Sequence, residues 1–179
     1  MKKEHLFELT ATALLIAIGI LIPMIPYLRV FIPPAASYTI ASHVAIFIAM
    51  FISPRSATAV TIGATVGFFF AGLPLVIVFR AASHILWSLP ASIYIRRAKA
   101  TSLRGIKLRL LSIVVAVTHA AAEAAAVLLF FMGAGFPDGQ GIMWVFGFIG
   151  IGTIAHSLLD FEIANIVRRG LQRASFTVK

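Results

Sequence analysis

Apolar residues in this chain come in long runs, separated by short breaks marked by proline, glycine or clustered basic residues. A helix needs about 20 apolar residues to cross a hydrocarbon core of ~30 Å, and the runs approach that length. The first extends from Leu6 to Tyr27 and meets Pro23 and Pro26 near its end. A loop from Leu28 to Ala36 carries Pro33-Pro34, which cannot continue a helix. The second run, Ser37 to Ser53, ends at Pro54-Arg55; the third, Ser56 to Ala71, closes at Gly72 and Pro74. The fourth, Pro74 to Ile95, has its proline at the helix start, where the missing N–H costs least. Arg96 to Lys107 is a basic linker, Leu108 to Met132 the fifth run, and Gly133 to Gly139 a turn-rich loop. The sixth run is Ile142 to Val167. Runs two and three are short, which suits tilted, irregular or re-entrant segments. The pattern predicts an all-α membrane protein: a compact bundle of about six transmembrane helices, forming a single domain over residues 1–179.

Composition agrees with a chain solvated by lipid. It is 60% hydrophobic and 12% charged, with a mean hydropathy of +1.01, where soluble domains carry about 25% charged residues. The net charge of +9 does not signal nucleic acid, because the basic residues cluster between apolar runs. With the N-terminus inside, thirteen of the fifteen Lys and Arg residues fall on cytoplasmic segments; Arg29 lies in an outer loop and Arg80 within a span. The positive-inside rule therefore predicts that both termini are cytoplasmic. The start of the chain reads as a first helix rather than a removable signal peptide. There is no cysteine, which excludes thiolate metal sites. No Gly-rich phosphate loop occurs, so an ATP-driven step requires another chain.

Ionisable groups inside spans cost on the order of 2.5–3.5 kcal/mol each, which makes them functional candidates. Run two holds His43, with Tyr38 and Ser42 nearby; run four holds Arg80, Ser83, His84 and Trp87; run five holds Thr118, His119 and Glu123. Arg80 lies six residues, or roughly 9 Å, below the outer end of run four, and His84 is one turn deeper. His119 and Glu123 are likewise one turn apart. Counted from the span ends, His43, Arg80, His84, His119 and Glu123 converge in the outer half of the bundle. His156 and Asp160 of run six fall in the inner half, suited to a different task. Arg80 and Glu123 also suit a purely structural pair between helices, and a span histidine often serves as an interhelical hydrogen bonder. The concentration of these groups favours a ligand site. Arg offers a planar fork for a carboxylate, His and Tyr can bond ring heteroatoms, and Phe47, Phe69 and Phe79 are expected to wall a flat ring. This chemistry fits a small, polar or anionic, water-soluble compound.

On the first helix, Ala11, Ala13, Ala17 and Gly19 make a small-residue region. Ala13 and Ala17 form a small-xxx-small pair that permits close helix approach. Residues Ala120 to Ala126 offer a comparable surface, expected to pack inside the bundle.

With this pair, the proline-rich outer loop, the stretch Ser37-Tyr38-Thr39-Ile40-Ala41-Ser42-His43 through Pro54, Arg80-Ala81-Ala82-Ser83-His84 and the His119/Glu123 pair, the chain resembles a known family. It is similar over nearly its whole length to the substrate-binding S components of energy-coupling factor (ECF) vitamin transporters, and most like their niacin branch. The resemblance implies a protein of the prokaryotic plasma membrane that is not an enzyme and carries no cofactor or metal. Its implied partners are a vitamin, a transmembrane coupling protein and two cytoplasmic ATPases. Ala13 and Ala17 would present the docking face, and Tyr38, His43, Arg80, His84, His119 and Glu123 would line the site. If the ligand is nicotinate, Arg80 would hold its carboxylate and a histidine its ring nitrogen. Other branches take other vitamins, and the residues alone leave the vitamin open. Two further readings are a haem-binding redox protein, with two span histidines as axial ligands, and a stand-alone secondary transporter.

Overall fold

The structure, a computed structural model, describes residues 3–99, 102–137 and 141–177. Asp138 of the last outer loop and the terminal Lys2 and Lys179 lie outside them.

Helix α1 (Lys3–Leu21) lies along α3 (Pro54–Phe70). The approach is close because α3 presents glycines. A Cβ on Gly67 would sit 2.7 Å from the Ile20 Cα and 2.6 Å from its carbonyl oxygen, and one on Gly63 would sit 2.8 Å from Ile16 Cγ2. Their cytoplasmic-side ends, by the sequence reading, are also pinned: Ser53 Oγ donates to Glu8 Oε1 at 2.5 Å and Thr12 Oγ1 to Ser56 Oγ at 2.8 Å. Ser53 is the N-cap of α3, its hydroxyl accepting from Ser56 N at 3.0 Å, with Pro54 at the first helical position.

The first apolar run does not stay helical to Tyr27. After Leu21 it becomes two 3-10 turns, Ile22–Met24 and Pro26–Leu28, each with a proline at its start. An antiparallel hairpin follows, β1 (Arg29–Ile32) against β2 (Ala36–Thr39), with Val30 opposite Tyr38. The second run is therefore not a helix from Ser37. It enters as the strand Ala36–Thr39, turns at Ala41 (φ 67°), and becomes α2 only over Val44–Ile52. Nine residues span roughly 14 Å, too short to cross a bilayer. Six of the nine are buried, as expected of a helix that is apolar all round.

Run four is two helices, α4 (Leu75–Ser83) and α5 (Ile85–Arg97), with the break at His84. There the ladder tightens: His84 N bonds the Ala81 carbonyl. Pro90 inside α5 supplies no N–H to the preceding turn. Run five is the long α6 (Ile106–Ala134). Run six begins as α7 (Ile142–Trp144), passes through a π-helical segment, Val145–Ile151, and continues as α8 (Gly152–Thr177).

The bundle thus has an all-α membrane architecture, and the chain is a multi-pass membrane protein. Among the described residues, four helical stretches are long and apolar enough to span: Glu4–Met24, Leu75–Arg97, Ile106–Ala134 and Ile142–Gln172. The 17-residue α3 and the nine-residue α2 complete the packing. Large apolar side chains such as Leu14, Phe70, Leu129, Met132 and Ile166 point outward, the surface that lipid would cover.

The core divides into two apolar clusters. One, around Phe47, Met50, Trp87, Ile95, Leu111 and Phe161, lies toward α2 and α5. The other, around Ala35, Val76, Ile77, Val127, Val145 and Ile149, lies beneath the hairpin. In α4–α5, α6 and α8 alike, the buried ionisable residues lie at or within a turn of the changeover from positions feeding one cluster to those feeding the other. A polar layer therefore crosses an otherwise apolar bundle.

Candidate functional site

Each of the three long elements brings an i, i+4 pair to this layer: Arg80 and His84, His119 and Glu123, His156 and Asp160. Such pairs stack on one helix face, so each helix delivers two groups to one spot. Glu123 is the hub. Its Oε2 accepts from Arg80 Nη2 and from Thr153 Oγ1, both at 2.6 Å. Its Oε1 lies 3.0 Å from His84 Nε2 and 3.4 Å from His119 Nε2. Arg80 is 3% exposed and Glu123 likewise; Arg80 Nη1 also donates to the Ala35 carbonyl at 2.7 Å, tying the hairpin to α4. A charge pair so deeply buried needs this density of hydrogen bonds to offset its desolvation.

Asp160 is the second anchor. Its Oδ1 accepts from Ala41 N at 2.9 Å, and its Oδ2 from His43 N at 3.1 Å, with His43 Nδ1 also 3.1 Å away. His156 Nε2 lies 3.5 Å from the same oxygen. Asp160 thus holds the turn that starts α2, which is why His43 is fixed at the helix entry rather than within a helix.

The structure brings the six residues expected at the site into one assembly. His43, His84 and His119 touch one another, with ring centroids 4.6 to 4.8 Å apart and edges turned to faces. Tyr38 stands at the margin. Its hydroxyl donates to the Phe148 carbonyl in the π-helical segment, and its ring lies 5.8 Å from the Arg80 guanidinium carbon and 5.6 Å from His156. Ser37, Ser42, His43, Arg80, His84 and Glu123 line a small cavity, closed further by Phe68, Ile77, Ala81 and His156. Its enclosed space is about 10 Å³, room for roughly one water. His119 is wholly buried behind this cavity, its ring 4.7 Å from Trp87.

Three expectations need correction. His156 and Asp160 do not serve a separate inner region. They belong to the same cluster, His156 lying 5.0 Å from His43. Residues 36–39 are extended, and a strand advances about 3.3 Å per residue against 1.5 Å for a helix. His43 therefore reaches deeper than helical counting places it. Phe69 and Phe79 do not wall the site: they are 57% and 55% exposed and pack against Phe70 and Phe130 on the outer surface. Phe47 is buried against Trp87 and Phe161. The haem reading, which drew on His43, His84, His119 and His156, finds no gap here: the first three rings are in mutual contact and His156 lies 5.0 Å from His43, so no macrocycle fits between these touching rings. Thr153 and Ser157, which the sequence reading missed, are signalled by spacing: each lies on the α8 face that carries His156 or Asp160.

Ala13 and Ala17 are exposed and flanked by exposed Leu14 and Ile18, while Leu15, Ile16 and Gly19 turn inward to α3. The alanine pair is not consumed by the bundle. Of the run from Ala120 to Ala126 on α6, Ala120, Ala122 and Ala124 are buried within the bundle, while Ala121 and Ala125 are exposed, so the run packs inside only in part.

No family model and no solved structure matches the chain. A curated relative does: the niacin transporter NiaX of Lactococcus lactis subsp. cremoris (strain MG1363) is 32% identical over 165 residues, covering 91% of this chain and 73% of the relative. On that likeness over nearly the whole bundle, the chain belongs to the niacin transporter NiaX family.

Proposed function

We propose that this chain is the substrate-binding S component of an ATP-driven ECF transporter, and that it captures niacin from outside a prokaryotic cell. The observation that carries this reading is the buried Arg–His–Glu cluster beneath a hairpin, in a chain whose relative is a niacin transporter. Membership of a transporter family also sets the chain apart from enzymes. Arg80 keeps a donor for a carboxylate: among the described residues, nothing bonds its buried Nε. His84 lines the same cavity, and its Nδ1, unbonded among the described residues, can meet a pyridine nitrogen. Tyr38 and the Arg80–Ala35 bond join the hairpin to the site floor, so hairpin movement would open it. The basic clusters at the two termini and at Arg96 to Lys107 orient both termini to the cytoplasm.

Energy comes from elsewhere in this reading. The exposed Ala13 and Ala17 let a coupling-protein helix lie close along α1, and two cytoplasmic ATPases drive that protein. The test is the double variant Ala13→Trp/Ala17→Trp. It is expected to bind vitamin as the parent does but to lose uptake and co-purification with the coupling protein and ATPases. Uptake that survives the two indoles, or uptake by the chain in the absence of any ATPase, would replace this reading with a stand-alone transporter.

A further inference from the structure

We propose that His43, His84, His119 and Glu123 bind one divalent transition-metal ion, and that this ion provides the positive charge drawing the vitamin's carboxylate into the site. The second clause rests on the niacin reading above; the first does not.

The four residues each offer one donor atom, and these atoms lie within 4.8 Å of one another. Three further features make this a built site rather than a chance cluster. Two of the three outer nitrogens are held: His43 Nδ1 sits 3.1 Å from Asp160 Oδ2, and His119 Nδ1 sits 3.1 Å from Ser157 Oγ, while His84 Nδ1 has no partner among the described residues. A histidine whose far nitrogen is fixed by a carboxylate or hydroxyl is oriented for metal binding by the other. The inner nitrogens are free or loosely held: among the described residues no hydrogen bond reaches His43 Nε2, and His119 Nε2 has only Glu123 Oε1 at 3.4 Å, although both rings are buried. Buried polar atoms are rarely left so. Glu123 is likewise prepared, with Arg80 and Thr153 occupying Oε2 and Oε1 turned toward the histidines.

Size and charge select the occupant. Three imidazoles in edge-to-face contact leave no slot for an organic ring between them, whereas an ion bonds imidazole nitrogen at about 2.0–2.1 Å. Nitrogen-rich ligation with one carboxylate suits Zn²⁺, Co²⁺ or Ni²⁺ and not the oxygen-seeking Mg²⁺ or Ca²⁺. Asp160 is a poorer candidate ligand, because two backbone N–H groups already occupy its oxygens. Arg80 is paired with Glu123, and Asp160 adds a second carboxylate, so the carboxylates of the cluster outnumber its one guanidinium. Such a site gives a carboxylate ligand no fixed surplus of positive charge. A divalent ion supplies one.

The experiment uses the full chain purified in detergent and stripped with a chelator. Equilibrium dialysis against ZnCl₂ is expected to load one Zn²⁺ per chain, and CoCl₂ to give the visible absorption of imidazole-bound Co²⁺. His119→Gln and His43→Gln, which remove ligands outright, should weaken loading by more than the roughly tenfold to hundredfold typical of losing a ligand's supporting partner. His5→Gln, on the exposed first turn, should not. Thermal unfolding of each variant separates lost ligation from lost fold, and the Co²⁺ spectrum of the parent stands if a variant does not fold. Absence of stoichiometric Zn²⁺, or loading unchanged in both folded variants, overturns the site. Nicotinate titration with and without Zn²⁺ tests the second clause: affinity about tenfold or more lower in the stripped protein is expected, and equal affinity overturns the ion's role while leaving the vitamin reading intact. Zn²⁺ loading with no nicotinate binding in either state would uphold the metal site and remove the vitamin reading.

Discussion

At the scale of single residues, the account turns on Glu123. Its carboxylate balances the Arg80 guanidinium where both groups are almost fully buried. Truncating one partner of a buried pair leaves the other charge uncompensated and costs about 3–5 kcal/mol, whereas replacing both with apolar groups is often near neutral. Glu123→Ala should therefore lower the unfolding temperature in detergent sharply. Arg80→Met/Glu123→Leu should recover most of the loss while binding no nicotinate. A single variant as stable as the parent would show that the pair is dispensable. The chemistry of these residues was legible in the sequence, since ionisable groups stand out against apolar runs. Their neighbours were less so. His156 and Asp160 carry the same i, i+4 spacing as His119 and Glu123, yet counting depth along ideal helices separated the two pairs. Phe69 and Phe79 show the opposite error: aromatic character alone does not say whether a ring faces the core or the lipid.

Among the elements, α1 and α3 set the tightest constraint. The Cβ of an alanine at position 67 would collide with the Ile20 backbone, which cannot swing aside as a side chain can. Gly67→Ala should force the helices apart and destabilise the chain by about 1–3 kcal/mol, in the range of overpacked cores. Unfolding monitored by circular dichroism measures this, and an unshifted midpoint would mean that the helices separate freely. The existence of the helices followed from the apolar runs, and their ends from Pro54, Gly72 and Pro74. The start of α2 did not. Ser37, Tyr38 and Thr39 have strand-forming character, but they adjoin a helical run without a breaker, and only Asp160, 117 positions beyond His43, holds the turn between them. A contact that distant leaves no local trace. The break at His84 is equally silent in sequence.

For the molecule as a whole, the basic residues predict a sidedness that labelling can check. The natural chain has no cysteine, so single cysteines report without background. Tyr27→Cys, at a residue 99% exposed near the hairpin, should react with a membrane-impermeant maleimide in intact cells. Gly170→Cys, exposed beside Arg168 and Arg169, should react only in inside-out vesicles. Labelling in the reverse pattern would invert the bundle and place the site's mouth on the cytoplasmic face. Six helical runs, and the shortness of the second and third, were readable from hydropathy; that the second shrinks to the nine residues of α2 emerges only when the hairpin is seen to take up part of it.

All these scales meet in one claim: the chain alone, without ATP, holds a niacin molecule in the cluster built on Arg80 and Glu123. Isothermal titration of the purified, Zn²⁺-loaded chain with nicotinate tests it most directly. The account predicts saturable binding of one nicotinate per chain, abolished in a folded Arg80→Ala variant. No heat with nicotinate, or undiminished binding without Arg80, would contradict it.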